Sequence, residues 1–262
     1  MIDLHIHTSL STDCDASMMD MAAAAAQKGL RYISFTDHID FDFPGGGYMV
    51  DFDEYKIQFE AVKAAFPNMS IAKGIEAGIE PHSWHRHIEL LSGKGLDYVL
   101  GSVHVVFGRD PYFPELWEKV TKQEAFDEYA RLLTKCLEAI DLFDVFAHIG
   151  YIGKYCPSEE NLFKYSDYTD IIDIVLKTLI ENSKGLEVNT SGLVKIGDYM
   201  PEKPIIERYR ELGGEIITIG SDAHLPENVG LAADYTLKYL NSLGFKYIYI
   251  YENRVPKAIS IG

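Results

Sequence analysis

Short runs of β-branched residues alternate along this chain with stretches of helical period, and the alternation repeats seven times. The pattern predicts strands over 2–5, 31–36, 70–76, 96–102, 144–148, 186–190, 215–220 and 246–251. It predicts helices over about 16–29, 52–66, 84–94, 121–141, 166–184, 202–213 and 227–242. After Thr121 the period is clearest, with Phe126, Ala130, Leu133, Leu137 and Ile140 on one face. Repeated strand–helix units call for a parallel sheet. Closure into a TIM-like (β/α) barrel accommodates so many units in one α/β domain spanning 1–262; an open doubly wound sheet is the alternative. With 262 residues, 47% of them hydrophobic, the chain has material for one large core.

Barrels of this kind carry their chemistry at the C-terminal ends of the strands. Six of the nine histidines fall at such ends: His5, His7, His38, His104, His148 and His224. Asp37, Glu76 and Asp222 occupy equivalent places. Residues two apart on a strand point the same way, so His5 and His7 share a face, as do Asp222 and His224 if the extended chain continues. One such histidine means little. Six, with carboxylates, make a cluster that is costly to bury without cations. The mixture of imidazole and carboxylate suits zinc, manganese or iron, and the lack of thiolate argues against a purely structural zinc site.

Other features read as structural. His82, His85 and His87 surround Trp84 and Arg86 at a helix start, which favours a solvated helix end over a second metal site. Cys14, Cys136 and Cys156 show no paired spacing, so no disulfide framework is expected. The glycine-rich loop at 40–48 lacks the Gly-Lys-Ser/Thr of a P-loop and reads as a surface loop, with a lid as the alternative. Twenty-four basic against 40 acidic residues give a net charge of −16, which disfavours nucleic acid and anionic membranes as partners. No apolar run is long enough to span a bilayer, and the N-terminus lacks a secretory pattern, so a cytoplasmic location is expected.

These motifs resemble the polymerase-and-histidinol-phosphatase superfamily. The matching pieces are Asp-Leu-His-Ile-His-Thr at 3–8, Thr-Asp-His at 36–38, Gly-Ile-Glu at 74–76, Gly-Ser-Val-His at 101–104, Ala-His at 147–148 and Gly-Ser-Asp-Ala-His at 220–224, in family order. Leu186–Gly192, Gly214–His224 and Leu243–Phe245 are most similar to the monofunctional histidinol-phosphatases. The resemblance implies a distorted seven-stranded barrel holding two or three divalent ions. One ion would take His5, His7, Glu76 and Asp222; a second would share Glu76 and add His104 and His148. A third would take His38 and His224 with Asp13, or with its neighbour Asp15. Asp3 and Asp37 would orient nearby groups.

The implied reaction is hydrolysis of L-histidinol phosphate to L-histidinol and phosphate in histidine biosynthesis, with a metal-bridging hydroxide as nucleophile. Lys154 is a candidate phosphate contact, and Asn189 and Ser191 are candidate substrate contacts. Glu80 and Asp42 are candidates for the substrate ammonium. The rivals are a phosphoesterase for another small ester, an amidohydrolase-type enzyme, and a non-catalytic interaction module. An amidohydrolase usually bridges its metals with a carboxylated lysine, where this chain offers Glu76. The sequence fixes neither the proton donor nor the oligomeric state.

Overall fold

The computed structural model describes every residue of the chain except 42, 44 and 45. The chain begins with β1 (Ile2–Ile6), α1 (Met18–Gln27), β2 (Tyr32–Phe35), a two-residue β3 (His38–Ile39), α2 (Phe52–Ala65) and β4 (Ser70–Gly78). There follow α3 (Trp84–Leu91), β5 (Tyr98–Ser102), α4 (Pro114–Trp117), α5 (Lys122–Cys136), β6 (Val145–Phe146), α6 (Tyr151–Tyr155) and α7 (Thr169–Glu181). The last part holds β7 (Gly185–Asn189), α8 (Gly192–Lys195), α9 (Lys203–Glu211), β8 (Ile217–Gly220), α10 (Ala233–Ser242), β9 (Tyr247–Glu252) and β10 (Val255–Ser260).

Seven parallel strands pair in the order β1-β2-β4-β5-β6-β7-β8. Ile6 then bridges in parallel to Ala223, just past β8, so the sheet nearly closes on itself as a distorted TIM-like barrel. Strands β1, β5, β6, β7 and β8 are buried along their whole length. Burial on both faces is the condition of parallel strands covered by helices, and it encloses even the polar Asp3, His5 and Glu187 within them. Helix α5 starts where Thr121 accepts the Glu124 N–H and Glu124 returns to the Thr121 N–H, a capping box that fixes its first turn. Its buried face, Phe126, Tyr129, Ala130 and Leu133, follows the helical period seen in the sequence. Cys136, at the end of that helix, is buried.

Two expectations need correction. The segment predicted as an eighth strand forms β9, which pairs antiparallel with β10 outside the barrel. β10 gave little signal, since it contains Pro256 and Lys257 and is largely exposed. Asn253 and Arg254 turn the chain with φ of 50° and 66°, the left-handed pair that a two-residue hairpin requires. The hairpin closes the end of the barrel opposite the mouth, where Arg254 Nε donates to Asp144 Oδ2 at 2.5 Å and its backbone N–H donates to the Asp97 carbonyl at 2.9 Å. Secondly, the extended geometry does not continue to His224, because Asp222 turns to φ 54°. Asp222 and His224 therefore reach the mouth from a turn, not from strand alternation.

Candidate metal centre

Every strand-end histidine of the sequence reading arrives at one mouth, and Glu76 is the hub. Strand β3 pairs with β4 so that His38 stands directly opposite Glu76. Oε2 of Glu76 lies 3.1 Å from His5 Nε2, 3.3 Å from His7 Nε2 and 3.2 Å from His38 Nδ1. Oε1 lies 3.1 Å from His104 Nε2 and 2.6 Å from His148 Nε2, and accepts the Ser102 hydroxyl at 2.6 Å. Asp222 Oδ1 is 3.4 Å from His7 Nε2 and 3.8 Å from His5 Nε2. Asp13 Oδ2 is 3.5 Å from His38 Nε2 and 3.3 Å from His224 Nε2, so Asp13, not Asp15, stands beside these two rings.

Nitrogen–oxygen and nitrogen–nitrogen separations of this size are the edges of small coordination polyhedra. A tetrahedron with ligands at ~2.1 Å has edges of about 3.4 Å. Hydrogen bonding also decides which nitrogen faces the centre. His5 Nδ1 is 2.7 Å from Glu187 Oε1, and His104 Nδ1 is 2.8 Å from Asp40 Oδ1. His7 Nδ1 is 3.2 Å from the Ser11 hydroxyl, whose own proton goes to Asp37 at 2.8 Å, and His224 Nδ1 is 3.0 Å from the Asp222 carbonyl. Each acceptor holds the proton on Nδ1 and leaves the Nε2 lone pair turned inward, the tautomer of a metal ligand. The Nε2 atoms of His5 and His7 are 3.0 Å apart, two lone pairs that need a cation between them. The buried His38 Nδ1 and Asp40 Oδ2 have no hydrogen-bond partner among the described residues. The donor set thus fits divalent ions.

Where no cation is bound, the same carboxylates draw protons onto His5 and His104, protons that a bound ion would displace. Burial works against ionisation of Glu76, but His5, His38 and His104 outweigh it and hold the carboxyl well below its usual range. Burial likewise opposes the charge on His104, but Asp40 and Glu76 raise it to about 10. Asp222 is held well below the usual range despite burial, chiefly by Lys154 and His7.

Two carboxylates here escaped the sequence reading, Glu187 and Asp40. Glu187, on β7, also accepts the His148 N–H at 2.9 Å and the Asn189 side-chain N–H at 3.2 Å. The available signals were a lone acid inside a buried strand, and for Asp40 its place two residues beyond His38. Asp3 and Asp37 stand behind the ligands and orient neighbouring groups, Asp37 through the Ser11 hydroxyl that faces His7 and Asp3 through the His5 N–H. Asp3 takes the N–H and hydroxyl of Ser221 and the N–H of Gly230, and Asp37 takes the N–H and hydroxyl of Thr8. Glu187→Gln keeps the shape but removes the charged acceptor behind His5. It is expected to weaken binding of manganese or zinc by about 10–100-fold, read by metal titration, with circular dichroism unchanged.

A cavity of about 360 Å³ opens above the cluster, bordered by Asp13, His38, His104, Lys154, Asp222 and His224. Lys154 Nζ donates to Asp222 Oδ2 at 2.7 Å at the cavity wall. Ser191 also borders the cavity and donates to Asn189 Oδ1 at 2.7 Å. Asn189 does not; it is fully buried, and its carboxamide is spent on Ser191 and Glu187, so it supports Ser191 and does not face a substrate. The loop read as a surface loop contributes Phe43 and Tyr48 to the cavity wall, stacked at 4.2 Å, and paired backbone bonds between Asp40 and Tyr48 join its ends. Asp42 lies outside the described residues. Glu80 sits 4.0 Å from exposed His82 and does not border the cavity. His85 stacks on Trp84, whereas His87, expected at a solvated helix start, is buried and donates from Nε2 to the Ile39 carbonyl at 3.0 Å.

The PHP domain family model matches residues 3–191. A probable histidinol-phosphatase of Clostridium acetobutylicum is 32% identical, covering 97% of this chain and 98% of that protein. The histidinol-phosphatase of Lactococcus lactis is 27% identical over 93% of this chain and 91% of its own. A crystal structure of histidinol phosphate phosphatase from Lactococcus lactis, complexed with zinc, L-histidinol and phosphate, superposes with a TM-score of 0.90 at 25% identity, covering 98% of both chains.

Proposed function

Because the chain belongs to the PHP domain family, we propose that it works as a metal-dependent phosphomonoesterase that releases phosphate from L-histidinol phosphate. The observation that carries the reading is Glu76, whose two oxygens face two separate groups of inward-turned imidazoles. Two or three ions of zinc, manganese or iron would be held there. His5, His7, Glu76 and Asp222 form one set, Glu76, His104 and His148 a second, and Asp13, His38 and His224 a third. All donors are nitrogen or oxygen; the nearby Cys14 thiol is turned to the His224 carbonyl at 3.2 Å. Bound ions would lower the pKa of water toward ~7, supplying hydroxide at neutral pH, and would neutralise the phosphoryl oxygens.

The chain's own residues do the rest. Lys154 stays protonated, since Asp222 beside it outweighs the effect of burial, and it brings positive charge to a cavity otherwise rich in carboxylates. Ser191 Oγ, 3.3 Å from Asp222 Oδ2, offers a hydroxyl at the same wall. The Phe43, Tyr48 and Phe113 side chains give the cavity an aromatic wall. The likeness to histidinol-phosphatases along nearly the whole chain supports the substrate. No described helix is long and apolar enough to cross a membrane. A cytoplasmic setting accords with three free, buried thiols.

The test is a phosphate-release assay of the purified chain with manganese or zinc. Histidinol phosphate is expected to be turned over faster than nucleotide or sugar phosphates; brisk turnover of another ester with none of histidinol phosphate contradicts the substrate assignment. Lys154→Ala is expected to lower kcat/KM by roughly 10–100-fold, in line with loss of a charged contact to the phosphoryl group.

A further inference from the structure

We propose that Asp110 determines specificity by pairing with a protonated nitrogen on the alcohol portion of the substrate, a proposal that rests on the phosphatase reading of this mouth. Asp110 borders the cavity yet is only 4% exposed. Its hydrogen-bond partners among the described residues are the Tyr112 N–H at 2.7 Å and the Tyr151 hydroxyl at 3.1 and 3.2 Å, neither of them a cation. Asp222 has Lys154, Asp144 has Arg254 and Asp40 has His104, while Asp3 and Asp37, also without a cation, each accept three or more hydrogen bonds away from the cavity; Asp110 has fewer donors and borders the cavity. A buried carboxylate without a cation is costly, and burial accordingly raises the Asp110 pKa above the usual range. A cationic ligand in the cavity would supply the missing charge.

The position suits such a ligand. Tyr151 joins the two ends of the cavity: its hydroxyl is on Asp110, while its ring lies 5.1 Å from the His104 ring and 5.2 Å from the His148 ring. Asp110 therefore stands about one tyrosine length from the cluster that would hold the phosphoryl group. The wall between is aromatic, with Phe43 6.1 Å from Phe113, and Phe113 edge-on to Tyr112 at 5.1 Å. Flat rings beside one carboxylate favour a small cationic, ring-bearing group over a neutral polar one. An uncharged ester would leave Asp110 buried and unpaired, which is how a site rejects a near-isosteric competitor.

The experiment compares O-phosphoethanolamine with 2-hydroxyethyl phosphate, esters of similar size and leaving group that differ in charge, alongside histidinol phosphate. The unaltered enzyme, loaded with manganese, is expected to favour phosphoethanolamine in kcat/KM by about tenfold or more. Asp110→Asn should abolish that preference, mainly through KM, and leave turnover of the neutral ester within roughly twofold. Asp110→Glu should keep the preference. Absence of preference in the unaltered enzyme, which needs no substitution, overturns the proposal, as does equal loss on both esters in a folded Asp110→Asn variant. Failure on histidinol phosphate with the charge preference intact would instead contradict the substrate assignment alone and support the role of Asp110.

Discussion

Glu76→Gln is expected to lower kcat/KM by about a thousandfold or more, equivalent to roughly 4 kcal/mol of transition-state stabilisation, while the chain stays folded. The glutamine keeps the size of the side chain and its place opposite His38 on β4. What it loses is the negative charge that five imidazole nitrogens face within 3.3 Å. Glu76 faces the inward-turned Nε2 atoms of both groups of ligands, so its loss should unseat ions on both sides. The measurements are steady-state kinetics, metal content and circular dichroism on the same preparation. Activity within tenfold of the unaltered enzyme would contradict the bridging role.

Gly220→Ala should also be severe, though no ligand is changed. A Cβ at Gly220 would fall 2.2 Å from Glu187 Oε1 and 2.4 Å from His5 Cβ, both far inside contact distance. His5 is fixed on β1, and Glu187 is held by His5 Nδ1, the His148 N–H and Asn189. Neither can step aside without turning an imidazole away from the centre. The seam between β1 and β8 has to open instead, at its bridge from Ile6 to Ala223. Overpacking of this kind costs about 1–3 kcal/mol, or roughly 2–4 °C of Tm for each kcal/mol in a chain near this size. Activity is expected to fall by about a hundredfold, since a misplacement of the order of 1 Å costs that much. Calorimetry and kinetics read the two effects separately; an alanine variant with unaltered Tm and kcat/KM would show that the crowding at this seam is relieved at no cost.

The sequence carried the fold and the ligand cluster because both follow from local rules. Alternation of period marked the barrel strands, and position at a strand end marked His5, His38, Glu76, His104 and His148 before any distance was known. His5 and His7 converge as a two-residue spacing on a strand requires. What stayed hidden depends on distant partners or special dihedrals. Glu187 meets His5 from 182 residues away, and Asp40 meets His104 from 64. Asp110 meets Tyr151, brought to it by α6, across 41 residues. The β9–β10 hairpin rests on a left-handed Asn253-Arg254 turn without the usual glycine, and Asp222 leaves the extended region as β8 ends. Asn189 looked like a substrate contact because it ends a strand, but the Ser191 hydroxyl and Glu187 take up its side chain first.

The most direct measurement is a crystal soaked in manganese or zinc, with data collected at the metal's absorption edge. The expected result is an anomalous peak between Glu76 and the His5, His7 and Asp222 side chains, and another between Glu76 and the His104 and His148 rings. Peaks only on the protein surface, or none at saturating metal, would contradict a metal centre built around Glu76.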